Sequence, residues 1–500
     1  MRFGLSLLLL VAACGPARHA PLPRDTLVRL SEDEVKSLDP QTVSDLASLR
    51  VAADQFEGLT RMNAAGVVEP GLADRWTVSG DALRWRFHLR PALTFSDGYP
   101  ITARTFIDVF ARLRATATAS PNASLFGGVR RLAADGDEVV VTLAQPLPAL
   151  PELLAHPAIA ALPLHLGARW AERRPMAASG AYRLIDWRLH DRLLLARNPR
   201  WHGGAAPTAR VEWRPVDDRQ AAYRLLRAGG ADLGGDLPAA ALERKNRSGM
   251  VHVAPYRGVY FMAFNTRRPP FDDVRIRRAL SLAIDRRLIA DRLLAVGNPP
   301  AWGLVPPGLG LAPYRPEWSD DPRRLDKAKA LLGQAGYGPG HPLDFEIRFN
   351  NDVDHRRIAI ALAALWRPLG VNARLLNSEA TLHFAALRRG EFDLARSGWI
   401  GDISAPENFL GQHRRSAGPI NYSGYASARF DTALDRALAE ADPARRLVAM
   451  RRAEVILVDD APVLPLYFYV SRNFVAPRVK GWQDNPANLH PSRTLGIGTP

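Results

Sequence analysis

The chain has 500 residues, 47% hydrophobic and 23% charged, proportions of an ordinary globular protein that exclude a disordered or collagen-like chain. The length suggests about two to four domains. Lys and Arg outnumber Asp and Glu by 66 to 51, a formal net charge of +15, but the basic residues are scattered pairs such as Arg130-Arg131 and Arg451-Arg452. No block of like charge forms a nucleic-acid-binding tail, so the expected partners include no nucleic acid.

At the N-terminus, Arg2 precedes an apolar run from Leu5 to Ala13. A bilayer span needs about 20 apolar residues, so residues 1–13 read as an export signal. Val11-Ala12-Ala13-Cys14 resembles a bacterial lipobox, in which the cysteine thiol takes a lipid. Cys14 is the only cysteine of the chain, which excludes a disulfide within it. Residues 14–24 then form a lipid-anchored tether.

Leu27 to Leu30 reads as a strand, and Leu46 to Leu59 as a helix closing near Gly58. Leu83, Trp85, Phe87 and Leu89 alternate with polar residues, the period of a half-buried strand. Thr102 caps a helix running to Arg114, and Val139 to Leu143 is a further strand. Tyr182, Leu184 and Trp187, then Leu193 and Leu195, predict a β-hairpin. Tyr223 to Ala228 reads as a helix, and Val259, Phe261 and Ala263 as a strand. A long helix is expected from Asp272 to Val296, stopped by Gly297. Another has Asp321 as N-cap, Pro322 in its first position and Gly336 at its end.

From Pro342 to Asp402 the pattern is βαβαβ. Leu343, Phe345, Ile347 and Phe349 alternate; Ile358 to Leu369 is amphipathic; Val371, Ala373 and Leu375 alternate; Glu379 to Arg389 is helical; Phe392 to Trp399 is a strand. Right-handed crossovers then give a parallel sheet, with ligands beyond the carboxyl ends of its strands. Asp402 lies just past the last strand and is a binding-site candidate on that ground alone.

No GxSxG, HExxH, GxxxxGK[ST] or GxGxxG motif occurs, and the 12 histidines show no ligand spacing. His413, beside Arg414-Arg415, reads as a solvated loop residue, and Asp459-Asp460 as a helix end. The expectation is a binding protein rather than an enzyme, with no cofactor and no metal.

Several blocks together resemble one family. They are SLDP at Ser37–Pro40, EPGLADRW at Glu69–Trp76, FHLRPALTFSDGYPITA at Phe87–Ala103, FNTRRPPFDDVRIRRALSLAIDR at Phe264–Arg287, and APVLPLYFYVSRNFVAPRVKGW at Ala461–Trp482. They are similar to the oligopeptide- and dipeptide-binding proteins of ABC importers, the extracellular solute-binding proteins of family 5. The resemblance implies an α/β, two-lobed periplasmic-binding-protein fold with three domains, mixed sheets flanked by helices, and a ligand cleft between the lobes. The expected parts are 25–50, 177–264 and 472–500 as the sheet domain of the first lobe, 51–176 as a smaller inserted domain, and 265–471 as the α/β second lobe.

The resemblance also assigns roles. ARSGWIGDISAPENFL at Ala395–Leu410 is similar to the family's ligand segment, where an Asp accepts from the ligand's α-ammonium; Asp402 falls on it. Arg396 falls on an Arg that binds the ligand carboxylate in some members, and Trp399 on an aromatic lining a side-chain pocket. Ile400 and Gly401 are expected to offer main-chain groups to an extended ligand. Read as local structure alone, Asp402 caps a turn, Arg396 joins the lobes in an ion pair, and Trp399 packs in the core. Ile403 and Gly401 depart from the family's usual Tyr and Ala. The implied function is a monomeric receptor in the bacterial cell envelope, anchored to the membrane at Cys14, that passes peptides to an ABC permease. The alternative is an envelope sensor or a binder of a nickel complex, glycan or opine on the same scaffold.

Overall fold

The computed structural model describes residues 22–238, 241–242 and 249–498. The signal segment and Cys14 lie outside the described residues. Ten strands form one mixed sheet: β1 (Thr26–Ser31), β2 (Tyr182–Arg188), β3 (Arg192–Arg197), β4 (Arg210–Pro215), β5 (Leu233–Gly234), β6 (Val251–Phe264), β7 (Leu343–Asn350), β8 (Val371–Ser378), β9 (Leu394–Ile400) and β10 (Val463–Val475). Their order is β8-β7-β9-β6-β10-β5-β1-β4-β3-β2.

The βαβαβ unit is as expected: β7 pairs in parallel with β8 on one side and β9 on the other. The helix Val353–Trp366 connects β7 to β8, and Ala380–Arg389 connects β8 to β9. β9 lies on the far side of β7 from β8, so the chain reverses direction across the sheet and opens a crevice at the carboxyl ends.

β6 and β10 are the long strands, of 14 and 13 residues, antiparallel to each other. Their ladder is irregular between Pro255 and Val259. Proline supplies no N–H, so it is tolerated in a sheet at such a bulge. On one side of it, Val251 and Phe474 pack with β1 in the first lobe. On the other, β6 is buried on both faces. Tyr260, Met262 and Phe264 pack with the helices Val274–Ala283 and Val353–Trp366, while Val259, Phe261 and Ala263 pack with Ala428–Ala439 and Pro443–Asp460. That makes the second lobe a helix–sheet–helix sandwich.

In the first lobe, a four-stranded antiparallel sheet runs in the order Ala73–Val78, Arg84–Leu89, Glu138–Leu143, Val129–Asp135. Trp85, Phe87 and Leu89 face its core as the alternation predicts. The helix Ala103–Arg114 lays Phe106, Val109, Phe110 and Leu113 on the same core. Thr102 caps it, and its N–H donates to Thr105 Oγ1 at 3.1 Å. This core is continuous with Tyr182, Leu193 and Trp213 of the large sheet.

Three local expectations fail. The Asp272–Val296 helix is broken: an α-helix covers Val274–Ala283, Ile284 is extended, and a π-helical segment covers Leu288–Leu294, ending at Ala295 rather than at Gly297. Arg286 causes the break, donating to Ser281 O at 3.0 Å and Pro465 O at 2.8 Å, while Asp285 caps the next segment through Leu288 N–H at 2.9 Å. The helix Arg324–Gln334 starts later than expected, so Pro322 is not in its first position; the Asp321 carboxylate still accepts from Arg323 N–H at 2.8 Å in the manner of a cap and from Lys327 Nζ, and Arg323 makes no side-chain capping bond. His413 is buried, not solvated, and packs edge-on against Phe261.

Candidate ligand-binding cleft

β9 pairs with β6 along all seven of its residues but touches β7 only at Leu394 and Ala395. Beyond Ala395 its outer edge faces the crevice. Which main-chain groups point there follows from two contacts. His383 Nε2–H donates to Arg396 O at 2.9 Å from the helix outside the sheet, so Arg396 presents its carbonyl outward. Gly401 N–H donates inward to Arg257 O at 2.8 Å. In an antiparallel pair the direction alternates, so Gly398 and Ile400 turn their N–H and C=O groups to the crevice. Gly401, expected to serve a ligand, spends both its groups on Arg257, whose Nε donates to Gly401 O at 3.1 Å. Gly398 takes its place.

Gly398 has a steric reason to be glycine. A Cβ there would stand 2.6 Å from Tyr469 Oη and 3.2 Å from Val259 O. We expect Gly398→Ala to displace Tyr469, keep the fold, and weaken ligand binding about tenfold, which calorimetry against wild type would measure.

Asp402 sits beyond the end of β9 with its side chain open to solvent but walled in by protein. Burial pushes its carboxyl above the ordinary value, against the opposing pull of Asn408 and Arg257. No ion pair holds it among the described residues; its side chain meets Asn408 Nδ2 at 3.5 Å. Asn408 organises this end of the cleft, since its Oδ1 also accepts from Asp402 N–H and from Trp399 Nε1, each at 3.0 Å. Trp399 is half-buried against the core of the second lobe, and its indole N–H is fixed by Asn408. Nothing in the sequence marked Asn408.

Arg396 sits at the other end. Its guanidinium reaches Asn350 Oδ1 and Tyr469 Oη, each at 3.3 Å, and lies 5.1 Å from the centre of the Tyr260 ring. It makes no ion pair among the described residues, so the lobe–lobe alternative is not realised. Burial raises the phenols of Tyr260, Tyr467 and Tyr469, which therefore face Arg396 as neutral hydroxyls. Burial, then the charge of Arg396, holds His355 down to about 3, and burial holds His383 at about 4. Among the described residues Asp402 and Arg396 thus form no ion pair, and neutral polar groups stand beside Arg396.

The lobes meet around this site. Ile403 and Ala405, each 5% exposed, join the core of the first lobe. Ile403 is therefore a packing residue and does not shape the cleft. Glu152, from the first lobe, accepts from Ser404 N–H at 2.7 Å and pairs with Arg257 at 2.7 Å. On the opposite side Arg219 pairs with Asp352 at 3.2 Å.

Residues 67–420 match the model of the bacterial extracellular solute-binding proteins, family 5 Middle. The chain belongs to family 5 of the bacterial extracellular solute-binding proteins. It is 33% identical to the periplasmic oligopeptide-binding protein OppA of Escherichia coli K12, over 94% of this chain and 92% of the relative. It is 32% identical to the periplasmic murein peptide-binding protein MppA of the same strain, over 98% and 97%. The solved structure of the Escherichia coli murein tripeptide-binding protein MppA superposes with a TM-score of 0.84, at 32% identity over 96% of this chain and all of that one. The unliganded open form of MppA superposes less well, at 0.77. Haemophilus influenzae OppA in complex with RPPGFSPFR gives 0.82, at 29% identity over 96% and 100%. Family membership makes this chain a two-lobed α/β solute-binding protein, and its lobe–lobe contacts fit its poorer match to the open form. Among the described residues no helix is long and apolar enough to cross a membrane.

Proposed function

We propose that this family 5 protein captures short peptides between its lobes and delivers them to an ABC importer permease. The peptide's α-ammonium meets Asp402, its main chain runs along Gly398 and Ile400, and its carboxylate turns toward Arg396. The observation that carries this reading is the pair of opposite charges at the two ends of an open strand edge, neither of them in an ion pair among the described residues. Main-chain pairing to such an edge is indifferent to side-chain identity, so broad peptide specificity follows. At about 3.3 Å per residue, the six steps from Arg396 to Asp402 span about 20 Å. Allowing for the reach of both side chains, the span suits a peptide of roughly three to five residues.

Isothermal titration with a tripeptide and its C-terminal amide tests the Arg396 end. Arg396→Leu is expected to weaken the free acid about tenfold or more and the amide far less. Equal losses for both would remove Arg396 from the reading. One relative favours a second reading: the chain is 32% identical to the probable deoxycholate-binding periplasmic protein YgiS of Escherichia coli K12. A solute of that kind has a carboxylate for Arg396 but no ammonium for Asp402. Binding of deoxycholate in place of peptides, unaffected at Asp402, would decide for it. The envelope location, the lipid anchor at Cys14 and the monomeric state belong to the same proposal. Retention of the full chain in detergent, lost on Cys14→Ser, would test the anchor.

A further inference from the structure

A second cavity, of about 180 Å³, lies in the second lobe where the Val274–Ala283 helix breaks, between Trp302, Trp318, Arg286, Arg287 and Arg324. None of the cleft residues lines it. Its three guanidinium groups form no ion pair among the described residues. Arg286 is 2% exposed and donates only to neutral acceptors: Pro465 O at 2.8 Å, Ser281 O at 3.0 Å and Ser281 Oγ at 3.0 Å. A guanidinium has five N–H groups, so two remain for a ligand. Arg324 gives one N–H to Leu282 O at 2.8 Å. The carboxylates at the rim are already engaged, Asp320 by Arg315 and Asp285 by Leu288 N–H. Burial, then the charge of Arg324, lowers Arg286 to about 9.

The flat apolar faces of this otherwise polar cavity are Trp302 and Trp318. The Arg286 guanidinium carbon lies 5.6 Å from the centre of the Trp318 ring, and that of Arg315 lies 4.9 Å from the centre of the Trp302 ring. A volume of about 150 Å³ is enough to admit a benzene ring, so size does not exclude one here. We propose that this cavity is a separate binding site for a small planar carboxylate, its ring between the indoles and its carboxylate on Arg286 and Arg324. The site is independent of the interlobe cleft and of the ligand bound there.

The test is isothermal titration of the mature chain with benzoate, with benzamide as neutral isostere and inorganic phosphate as anion without a ring. Saturable benzoate binding, about tenfold tighter than benzamide or phosphate, is expected from two charge-assisted contacts and a stacked ring. Arg324→Gln, at a half-exposed position, is expected to weaken benzoate about tenfold while Asp402→Asn leaves it unchanged. Arg287→Gln, at the exposed mouth, is a second variant, and a several-fold loss there supports the site even if Arg324→Gln fails to fold. The proposal is overturned by no saturable benzoate binding, by equal binding of benzamide or phosphate, or by a loss with Asp402→Asn in place of the arginine variants.

Discussion

Asp402→Ala is expected to weaken a free tripeptide by about 100-fold or more, while the N-acetylated peptide binds wild type and variant equally weakly. Truncating one member of a desolvated, hydrogen-bonded charge pair costs about 2–5 kcal/mol, and about 1.4 kcal/mol is tenfold in affinity. Most of that cost falls on the ligand's ammonium, which would be enclosed with no anion. The acetylated peptide has no such charge to lose, so the double comparison isolates the one contact.

The pH dependence of binding has a definite sign. In the free protein burial places the Asp402 carboxyl above its ordinary value; a bound ammonium would pull it down. Affinity is therefore constant above the free-state value and falls by up to tenfold per pH unit below it. Stability runs the other way. A carboxyl whose folded pKa is raised contributes stability that is fully present below the unfolded value, about 3.9, and lost as pH rises through the folded value. At neutral pH Asp402→Asn should hold or raise the melting temperature while binding fails. A fall in melting temperature together with the loss of binding would make Asp402 a structural residue instead.

Glu152→Ala is expected to destabilise the closed protein by about 3–5 kcal/mol, the cost of leaving a buried ion unpaired. The Arg257 side chain is 4% exposed and that of Glu152 is 11% exposed, so little water can replace the lost partner. Ser404 N–H would lose its acceptor as well. Glu152→Gln keeps hydrogen-bond capacity and should cost less. Replacing Arg257 by Met in the Glu152→Ala background should recover much of the loss, because the stranded charge is gone. Thermal melts read the stability. Small-angle scattering reads the lobes, which should spread in Glu152→Ala, and a compact variant with an unchanged melt would rule out this clamp.

The candidate site was legible in part. The alternation of Leu343, Phe345, Ile347 and Phe349 and the amphipathic segments after it were enough to predict β7, β8 and β9, and so to place Asp402 at a carboxyl edge. Those patterns are local, and one buried face per element produces them. The choice of Gly398 over Gly401 was not legible, because the direction of a main-chain group is set by the partner strand. The ladder of β9 runs on Gly258 to Phe264, more than a hundred residues earlier in the chain. Asn408 was missed for a related reason, as a common loop residue whose role appears only when Trp399 and Asp402 are folded back on it.

By itself the sequence determined the βαβαβ order from Leu343 to Ile400, the absence of recognised catalytic motifs and the place of Asp402 just past that unit's last strand, since each is written in spacings of a few residues. Only the tertiary structure decided which charges are left unpaired. Glu152 finds Arg257 across 105 residues and Ser404 across 252, and Arg286 breaks its helix by reaching a carbonyl 179 residues away. A charge is satisfied by whatever folds beside it, and in this chain Arg396 and Asp402, near the two ends of the open edge of β9, meet only neutral side chains.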